Sequence, residues 1–262
     1  MNAVFRHYDQ ASLDAQYDQR AWAANAEEVI ARYASASDAA RARLGEPRTL
    51  SYGSGNAERL DVYGTSSRIF TFVHGGAWRR EMRRESVFAA PAVVSAGYSY
   101  IALGFSVQSL EAIADQVCRG LAWVHANISD QMLLCGHSSG AHLAACALTQ
   151  IDCVKRALLV SGIYDLTPVH LSSRNSYLRL DERLEEKYSP IRHAKRIRCP
   201  VTVAWGEKES AEFVRQSQDF AAALGAPALV APGVNHFEVI EQLSDQSSPL
   251  ARSIAAQTRA GE

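Results

Sequence analysis

The sequence has almost no net charge and no long hydrophobic run. Its 262 residues include 27 Lys and Arg against 28 Asp and Glu, a formal net charge of −1. No strong field therefore favours nucleic acid or an anionic membrane as a partner. No apolar stretch approaches the ~20 residues that cross a bilayer, and the polar N-terminal segment lacks the apolar centre of a signal peptide. We expect a cytoplasmic protein that binds a small-molecule substrate, with no nucleic-acid or membrane partner.

Cysteine is scarce and forms no recognisable pattern. The five cysteines include no CxxC pair, which argues against a disulfide framework or a zinc site. Cys118, Cys135 and Cys146 lie within apolar segments, so we expect small buried hydrophobic side chains in a reducing compartment. No metal and no organic cofactor is predicted. The oligomeric state stays open, with a homodimer as one option.

Short apolar runs alternate with helical segments along most of the chain. Residues 5–45 have apolar residues at helical intervals, and "RTLSYG" and "ERLDVYG" then predict a β-hairpin. Six further apolar runs are separated by helices, a pattern typical of a mainly parallel sheet with helices on both faces. The predicted helices between and after these strands cover residues 84–96, 108–126, 140–150, 211–224 and 238–257.

One stretch interrupts the alternation of strands and helices. Residues 165–199 are too long for an ordinary connection, and loops of that length are often functional. We predict a small cap there, beside the carboxyl ends of the strands where open α/β sheets bind ligands. The sequence thus predicts a single domain over residues 1–262, with an N-terminal helical extension (1–47) and a cap insertion (165–199).

A G-x-S-x-G string, Gly136 to Gly140, stands between an apolar strand and a helix. A nucleophile lifted above the edge of a sheet sits on a sharp, strained turn. Close packing around that turn leaves no room for Cβ atoms two residues before and after it. The helix that follows points its first N–H groups at the site and favours negative charge there. We therefore predict that Ser138 is a nucleophile.

A serine nucleophile needs a base, and the base needs an acid that orients it. With a strand–turn–helix serine, the acid and the histidine follow later in the chain, in that order. His236 lies in the loop after the last predicted strand and is the candidate base. Glu209 follows the penultimate strand and is the candidate acid. Asp165, after the strand that follows the nucleophile, is the alternative acid.

The segment "HGGAW" follows an early predicted strand and contains two adjacent glycines. Acyl transfer passes through a tetrahedral oxyanion, which fixed N–H donors stabilise. We predict that the backbone N–H groups of Gly75 and Gly76 are such donors, together with that of Ser139. His74 and Trp78 flank the glycines and are the predicted substrate contacts, with packing beneath the pocket as the alternative for Trp78.

Several stretches resemble the α/β-hydrolase superfamily and, within it, the kynurenine formamidase (arylformamidase) group. They are "YDQASLDAQYDQRA", "HGGAW", "GHSSGAHLAA", "VSGIYDLTPV", "NSYLRLDERLEEKYSPI" and "NHFEVIEQL". The resemblance implies an α/β-hydrolase fold and a triad of Ser138, Glu209 and His236. It also implies hydrolysis of N-formyl-kynurenine to kynurenine and formate, on the route of tryptophan catabolism. The chain differs from the usual family pattern at Ala77 and Ser139, where tyrosine and alanine are commoner, and at Glu209, where aspartate is usual.

We therefore predict a serine hydrolase that cleaves an aryl formamide through an acyl-enzyme. A carboxylesterase for small acyl or aryl esters, using the same residues, is the alternative. A non-catalytic ligand-binding protein of this fold is less favoured, because such proteins usually lose the nucleophile or the histidine. This chain keeps the serine, the acid and the histidine in order.

Overall fold

A computed structural model describes residues 3–256, and these residues hold one sheet of eight strands. The strands are β1 (Arg48–Ser51), β2 (Arg59–Tyr63), β3 (Arg68–Val73), β4 (Ser99–Leu103), β5 (Gln131–His137), β6 (Arg156–Val160), β7 (Val201–Gly206) and β8 (Ala228–Ala231). Their order across the sheet is β1-β2-β4-β3-β5-β6-β7-β8. The pairs β1–β2 and β2–β4 are antiparallel and the other pairs are parallel. The predicted hairpin and the predicted mainly parallel sheet are confirmed.

Helices cover both faces of this sheet. They are α1 (Gln10–Tyr17), α2 (Ala26–Leu44), α3 (Ala90–Ser95), α4 (Leu110–Asn127), α5 (Ser139–Leu148), α6 (Thr167–His170), α7 (Asn175–Leu178), α8 (Glu182–Lys187), α9 (Ala211–Leu224), α10 (Glu238–Glu241) and α11 (Pro249–Ala256). Short 3₁₀ helices lie at Gln19–Trp22, Arg84–Ser86, Pro190–Arg196 and Gln242–Ser244. In the part of the chain that the structure describes, no helix is both long enough and apolar enough to span a membrane.

Two hydrophobic cores fill the space between the sheet and its helices. Successive side chains of a strand point to opposite faces, so Leu134 lies in one core and its neighbour Cys135 in the other. Cys135 and Cys146 are fully buried, as the sequence predicts. Cys118 is only half-buried, because it lies at the edge of one core rather than inside it.

Two of the predicted helices are interrupted, so the prediction of one continuous helix in each place was wrong. In 238–257, α10 and a 3₁₀ helix end before α11 begins at Pro249, and residue 257 lies outside the described residues. The Ser248 hydroxyl accepts a hydrogen bond from the Ala251 N–H (3.0 Å) and caps the new helix. In 84–96, only a 3₁₀ turn precedes α3, whose first turn holds Pro91, a residue that does not fit a helix interior.

The first N-terminal helix, α1, contacts the segment between β6 and β7. α1 and α2 lie in the predicted extension (1–47), whose residues 1 and 2 are outside the described range, and α6 to α8 lie in 165–199. The Asp14 carboxylate accepts a hydrogen bond from the Ser173 N–H (2.6 Å), and the Gln10 amide donates to the Leu171 carbonyl (3.0 Å). These bonds fix α1 against the segment predicted to be a cap.

Candidate active site

Ser138 stands on a sharp turn between β5 and α5. Its φ of +56° lies in the left-handed region, which a residue other than glycine rarely adopts. A Cβ atom on Gly136 would lie 2.6 Å from the Gly140 carbonyl oxygen, and one on Gly140 would lie 2.1 Å from the Val73 carbonyl oxygen. Both glycines are therefore required by backbone packing, and that packing holds the serine above the end of the sheet.

His236 lies between Ser138 and Glu209 and contacts both. Its Nε2 is 3.0 Å from the Ser138 Oγ, and its Nδ1 is 2.9 Å from the Glu209 Oε2. A carboxylate can only accept a hydrogen bond, so Nδ1 carries the proton and Nε2 accepts a hydrogen bond from the serine hydroxyl. The side chains of His236 and Glu209 are 5% and 0% exposed, so water hardly weakens the pair. The arrangement can take the proton of the serine hydroxyl.

The second oxygen of Glu209 is also fully used. Its Oε1 accepts hydrogen bonds from the Ser161 hydroxyl (2.5 Å) and from the Gly206 N–H (2.6 Å). A buried carboxylate is costly unless its oxygens are hydrogen-bonded, and these donors meet that need. Ser161 was missed by the sequence reasoning, since a serine at the end of an apolar strand carries no distinguishing pattern.

The alternative acid, Asp165, lies elsewhere. Its carboxylate accepts a hydrogen bond from the Thr167 N–H (3.1 Å) and is 3.9 Å from the Arg192 guanidinium. It makes no contact with His236 among the described residues. The structure brings Glu209, and not Asp165, to the imidazole.

The loop that carries His236 is anchored by hydrogen bonds to two distant parts of the chain. The His137 Nε2 donates to the His236 carbonyl (2.9 Å), and burial lowers the pKa of His137 to about 3, so this imidazole is neutral. The Asn235 amide donates to the Asn25 side-chain oxygen (2.8 Å), and the Asn25 amide donates to Glu238 (2.7 Å). Asn25 precedes α2, so the N-terminal helices help to position the imidazole.

The Gly75–Gly76 backbone passes close to the serine. A Cβ atom on Gly75 would lie 3.2 Å from the Ser138 Cβ, and Gly76 has a φ of +110°. Within residues 3–256, the N–H groups of Gly75, Gly76 and Ser139 have no hydrogen-bond acceptor. Donors without an acceptor, beside a serine and at the start of helix α5, are free to bind a developing oxyanion.

His74 and Trp78 hold the glycine loop in place. The His74 Nδ1 donates to the Gly75 carbonyl (2.8 Å) and its Nε2 accepts from the Met82 N–H (3.3 Å). Burial lowers the pKa of His74 to about 4, so the ring is neutral, and it also lines the cavity above Ser138. Trp78 is buried and is not among the residues that line this cavity, and its indole N–H donates to the His142 Nδ1 (3.1 Å).

A cavity of about 130 Å³ opens above Ser138, with apolar and charged parts. The Tyr33 ring stacks on Phe88 with centroids 5.2 Å apart, and Phe72 packs edge-on against Phe88 at 6.2 Å. The cavity has these apolar lining residues: Ile30, Tyr33, Phe72, Ala77, Met82, Phe88, Phe237 and Ile240. Its charged lining residues are Asp18, Arg20, Arg79, Arg80, Glu85 and Arg174. No group of three or more His, Cys, Asp or Glu residues within 3–256 is placed to hold a metal ion.

The chain is similar to two vertebrate enzymes along most of its length. It is 33% identical to the kynurenine formamidase of Danio rerio over 92% of this chain and 93% of that protein. It is 31% identical to the kynurenine formamidase of Salmo salar over 89% of this chain and 91% of that protein. No protein-family model matches it.

Solved structures with the same arrangement of strands and helices are hydrolases by description. A provisionally assigned thioesterase from Silicibacter sp. is 26% identical with a TM-score of 0.85, over 93% of this chain and 98% of that one. An esterase from Pyrobaculum calidifontis superposes with a TM-score of 0.66 at 17% identity, over 89% and 94% of the two chains. At that identity the esterase shows the fold alone.

Proposed function

Because the chain belongs to the kynurenine formamidase family and is a hydrolase of the α/β-hydrolase fold, we propose that it converts N-formyl-kynurenine to kynurenine and formate. The predicted fold class is confirmed by these relatives, and so is the predicted enzyme class. The hydrolytic mechanism is carried by one observation, the continuous hydrogen-bonded series from Ser138 through His236 to Glu209 at the cavity. The choice of a formamide substrate rests on the similarity to the two kynurenine formamidases.

In the proposed mechanism, Ser138 Oγ attacks the formyl carbon while His236 Nε2 takes the hydroxyl proton. The tetrahedral adduct collapses, the C–N bond breaks, and the imidazolium gives its proton to the leaving aryl amine. A water molecule then attacks the formyl-enzyme while His236 Nε2 takes its proton; the bond from the formyl carbon to Ser138 Oγ breaks, the imidazolium returns the proton to Oγ, and formate leaves. Glu209 accepts the Nδ1–H bond throughout, which keeps Nε2 free and stabilises the imidazolium.

The oxyanion of each tetrahedral adduct is proposed to bind the N–H groups of Gly75, Gly76 and Ser139. The missing Cβ of Gly75 lets the backbone approach Ser138, where a methyl group would come within 3.2 Å of the serine Cβ. Removal of one such donor typically costs about 3 kcal/mol of transition-state stabilisation. These donors therefore supply a large part of the expected rate enhancement.

The lining of the cavity fits an aryl formamide. The contiguous rings of Tyr33, Phe72 and Phe88 offer an apolar surface for the aromatic ring of the substrate. His74, the second predicted substrate contact, stacks on Phe105 with centroids 4.2 Å apart and presents an immobile edge to the cavity. Trp78 acts through the glycine loop, since it is buried and is not among the residues that line the cavity.

The proposal is tested by comparing kcat/KM for N-formyl-kynurenine with that for 4-nitrophenyl acetate. We expect the formamide to be preferred; preference for the ester would support a carboxylesterase instead. Ser138→Ala should abolish turnover of both substrates with unchanged circular dichroism, whereas Ser35→Ala, on an exposed face of α2, should leave turnover unchanged. Turnover by Ser138→Ala would refute the nucleophile assignment.

We also propose a single domain, with residues 1–47 as its extension and 165–199 as a cap over the cavity. The hydrogen bonds of Asp14 and Gln10 to this segment support the arrangement. A cytoplasmic location and a small-molecule partner are proposed from the composition of the chain. Size-exclusion chromatography with light scattering would decide between a monomer and a homodimer.

A further inference from the structure

Arg174, between α6 and α7, lines the cavity above Ser138 and has no carboxylate partner among the described residues. Its Nε donates to the Tyr17 carbonyl (2.9 Å), and its Nη2 donates to the same oxygen. Its guanidinium carbon lies 5.9 Å from the centre of the Trp78 ring. The side chain is half-buried, and its contacts among the described residues are with the Tyr17 carbonyl, the Tyr177 hydroxyl and the Trp78 ring.

The contacts of Arg174 leave one edge of the guanidinium available. The Tyr17 carbonyl takes the edge formed by Nε and Nη2. The edge formed by Nη1 and Nη2 has one long contact, 3.4 Å from Nη1 to the Tyr177 hydroxyl. Two parallel N–H groups on such an edge match the two oxygens of a carboxylate. A fixed side chain loses little entropy when it binds, so this edge is already prepared for an anion.

The charges around Arg174 also favour an anion. The Arg79 guanidinium carbon lies 4.3 Å from the centre of the Tyr177 ring, and Arg174 contacts the hydroxyl of the same residue. Arg79 and Arg80 line the same cavity, and neither forms an ion pair within the described part of the chain. The fourth cavity arginine is different, because Arg20 is already paired with Glu27 (2.5 Å). Three unpaired cations therefore surround the opening.

Two acidic residues complete the lining. Asp18 and Glu85 line the cavity, and neither forms an ion pair with a cation of residues 3–256. A group with both an anion and a cation, such as the carboxylate and ammonium of an α-amino acid, matches this mixed set better than a simple anion does. The aromatic rings lie in the same cavity, so a ligand with an aryl ring and an amino-acid tail fits both parts.

We propose that Arg174 binds the α-carboxylate of the amino-acid tail of the substrate through its Nη1–Nη2 edge, and thereby selects formamides that carry such a tail. The proposal rests on the proposed function and specifies which part of the substrate each side of the cavity takes. It also gives the segment 165–199 a direct role in substrate choice. Tyr17 is a positioning residue in this scheme, since its carbonyl fixes the guanidinium.

Two substrates that differ only in the tail test the proposal: N-formyl-L-kynurenine and 2-formamidoacetophenone, which has the same aryl formamide and ketone. For Arg174→Gln we expect kcat/KM for the first to fall about 10- to 100-fold, chiefly through KM, with a change below about 3-fold for the second. Arg174→Lys should restore part of the loss. Arg84→Gln, an exposed residue outside the cavity, is the matched charge control and should change neither value.

The possible failures are distinguishable. If Arg174→Gln lowers kcat/KM equally for both substrates, or for neither, the proposed binding of the carboxylate by Arg174 is overturned while the formamidase function stands. If the wild-type protein hydrolyses neither formamide, the proposed function fails, and calorimetry of L-kynurenine binding to Ser138→Ala decides the subsite. Binding that is lost in Ser138→Ala/Arg174→Gln supports the subsite. Absence of binding, or equal binding by both proteins, overturns it.

Discussion

Replacing Glu209 by glutamine tests the orientation of the imidazole without changing the shape of the side chain. Oε1 receives two donors, and the Gly206 N–H cannot turn away, so the amide oxygen must stay on that side. A flipped amide would set N–H against N–H at 2.6 Å and cost about 2 kcal/mol. The amide nitrogen must therefore face His236 Nδ1, which then has to accept. The imidazole proton moves to Nε2, opposite the Ser138 hydroxyl, and His236 can no longer act as a base.

We expect kcat of Glu209→Gln to fall by about 10³- to 10⁴-fold, the loss typical of a triad imidazole in the wrong tautomer. That range corresponds to about 4 to 5 kcal/mol of activation free energy. The matched control is Glu207→Gln, two residues away and exposed, which can still accept from the Gly233 N–H (2.7 Å). Steady-state kinetics and ¹⁵N NMR of the imidazole are the assays. A kcat within tenfold of wild type, or a larger loss in Asp165→Asn, would contradict the assignment of Glu209 as the acid that orients His236.

Three further predictions concern the supports of the site. Ser161→Ala leaves the buried Glu209 carboxylate with one fewer hydrogen-bond donor. We expect steady-state kinetics to show a kcat about tenfold lower and urea titration to show a free energy of unfolding about 2 kcal/mol lower. An unchanged kcat would contradict this. Gly140→Ala places a Cβ 2.1 Å from a backbone carbonyl, so we expect a loss of at least about 3 kcal/mol and a clearly lower melting temperature. Burial lowers the pKa of His137 to about 3 and of His142 to about 4, below the ~6.5 of the unfolded chain. The unfolded chain thus binds protons first as the pH falls, and the free energy of unfolding should drop by about 2 kcal/mol per histidine between pH 7 and 5. A constant value over that range would be inconsistent with neutral buried imidazoles.

The fold and the serine turn could be predicted because the sequence patterns that indicate them are local. An apolar run of five or six residues between turn residues forms a buried strand wherever it lies, and β3 to β7 follow those runs closely. The spacing of Gly136 and Gly140 around Ser138 follows from clashes within a few residues of the serine and against β3. That Glu209 and His236 lie together could be predicted from their order along the chain, since the ends of parallel strands meet at one edge of the sheet.

The supports of the site could not be predicted, because their contacts join distant parts of the chain. Ser161 contacts Glu209 across 48 positions, and Asn25 contacts Asn235 across 210. No periodicity or spacing encodes such pairs. The interruption of the last predicted helix does have a local signal, the cap at Ser248 before Pro249. The prediction follows the apolar periodicity across that signal, whereas the structure follows the cap.

The N-terminal helical segment contacts two parts of the proposed site, the loop of His236 and the side chain of Arg174. Asn25, before α2, bonds to the loop of His236, and Tyr17, at the end of α1, bonds through its carbonyl to Arg174. A mainly parallel sheet places Ser138, Glu209 and His236 beyond the ends of its strands. The orientation of the imidazole and of the cavity arginine depends on chain that lies before the first strand. We therefore expect a change in this segment to alter both turnover and the proposed selection of the substrate tail, although it holds none of the three proposed triad residues.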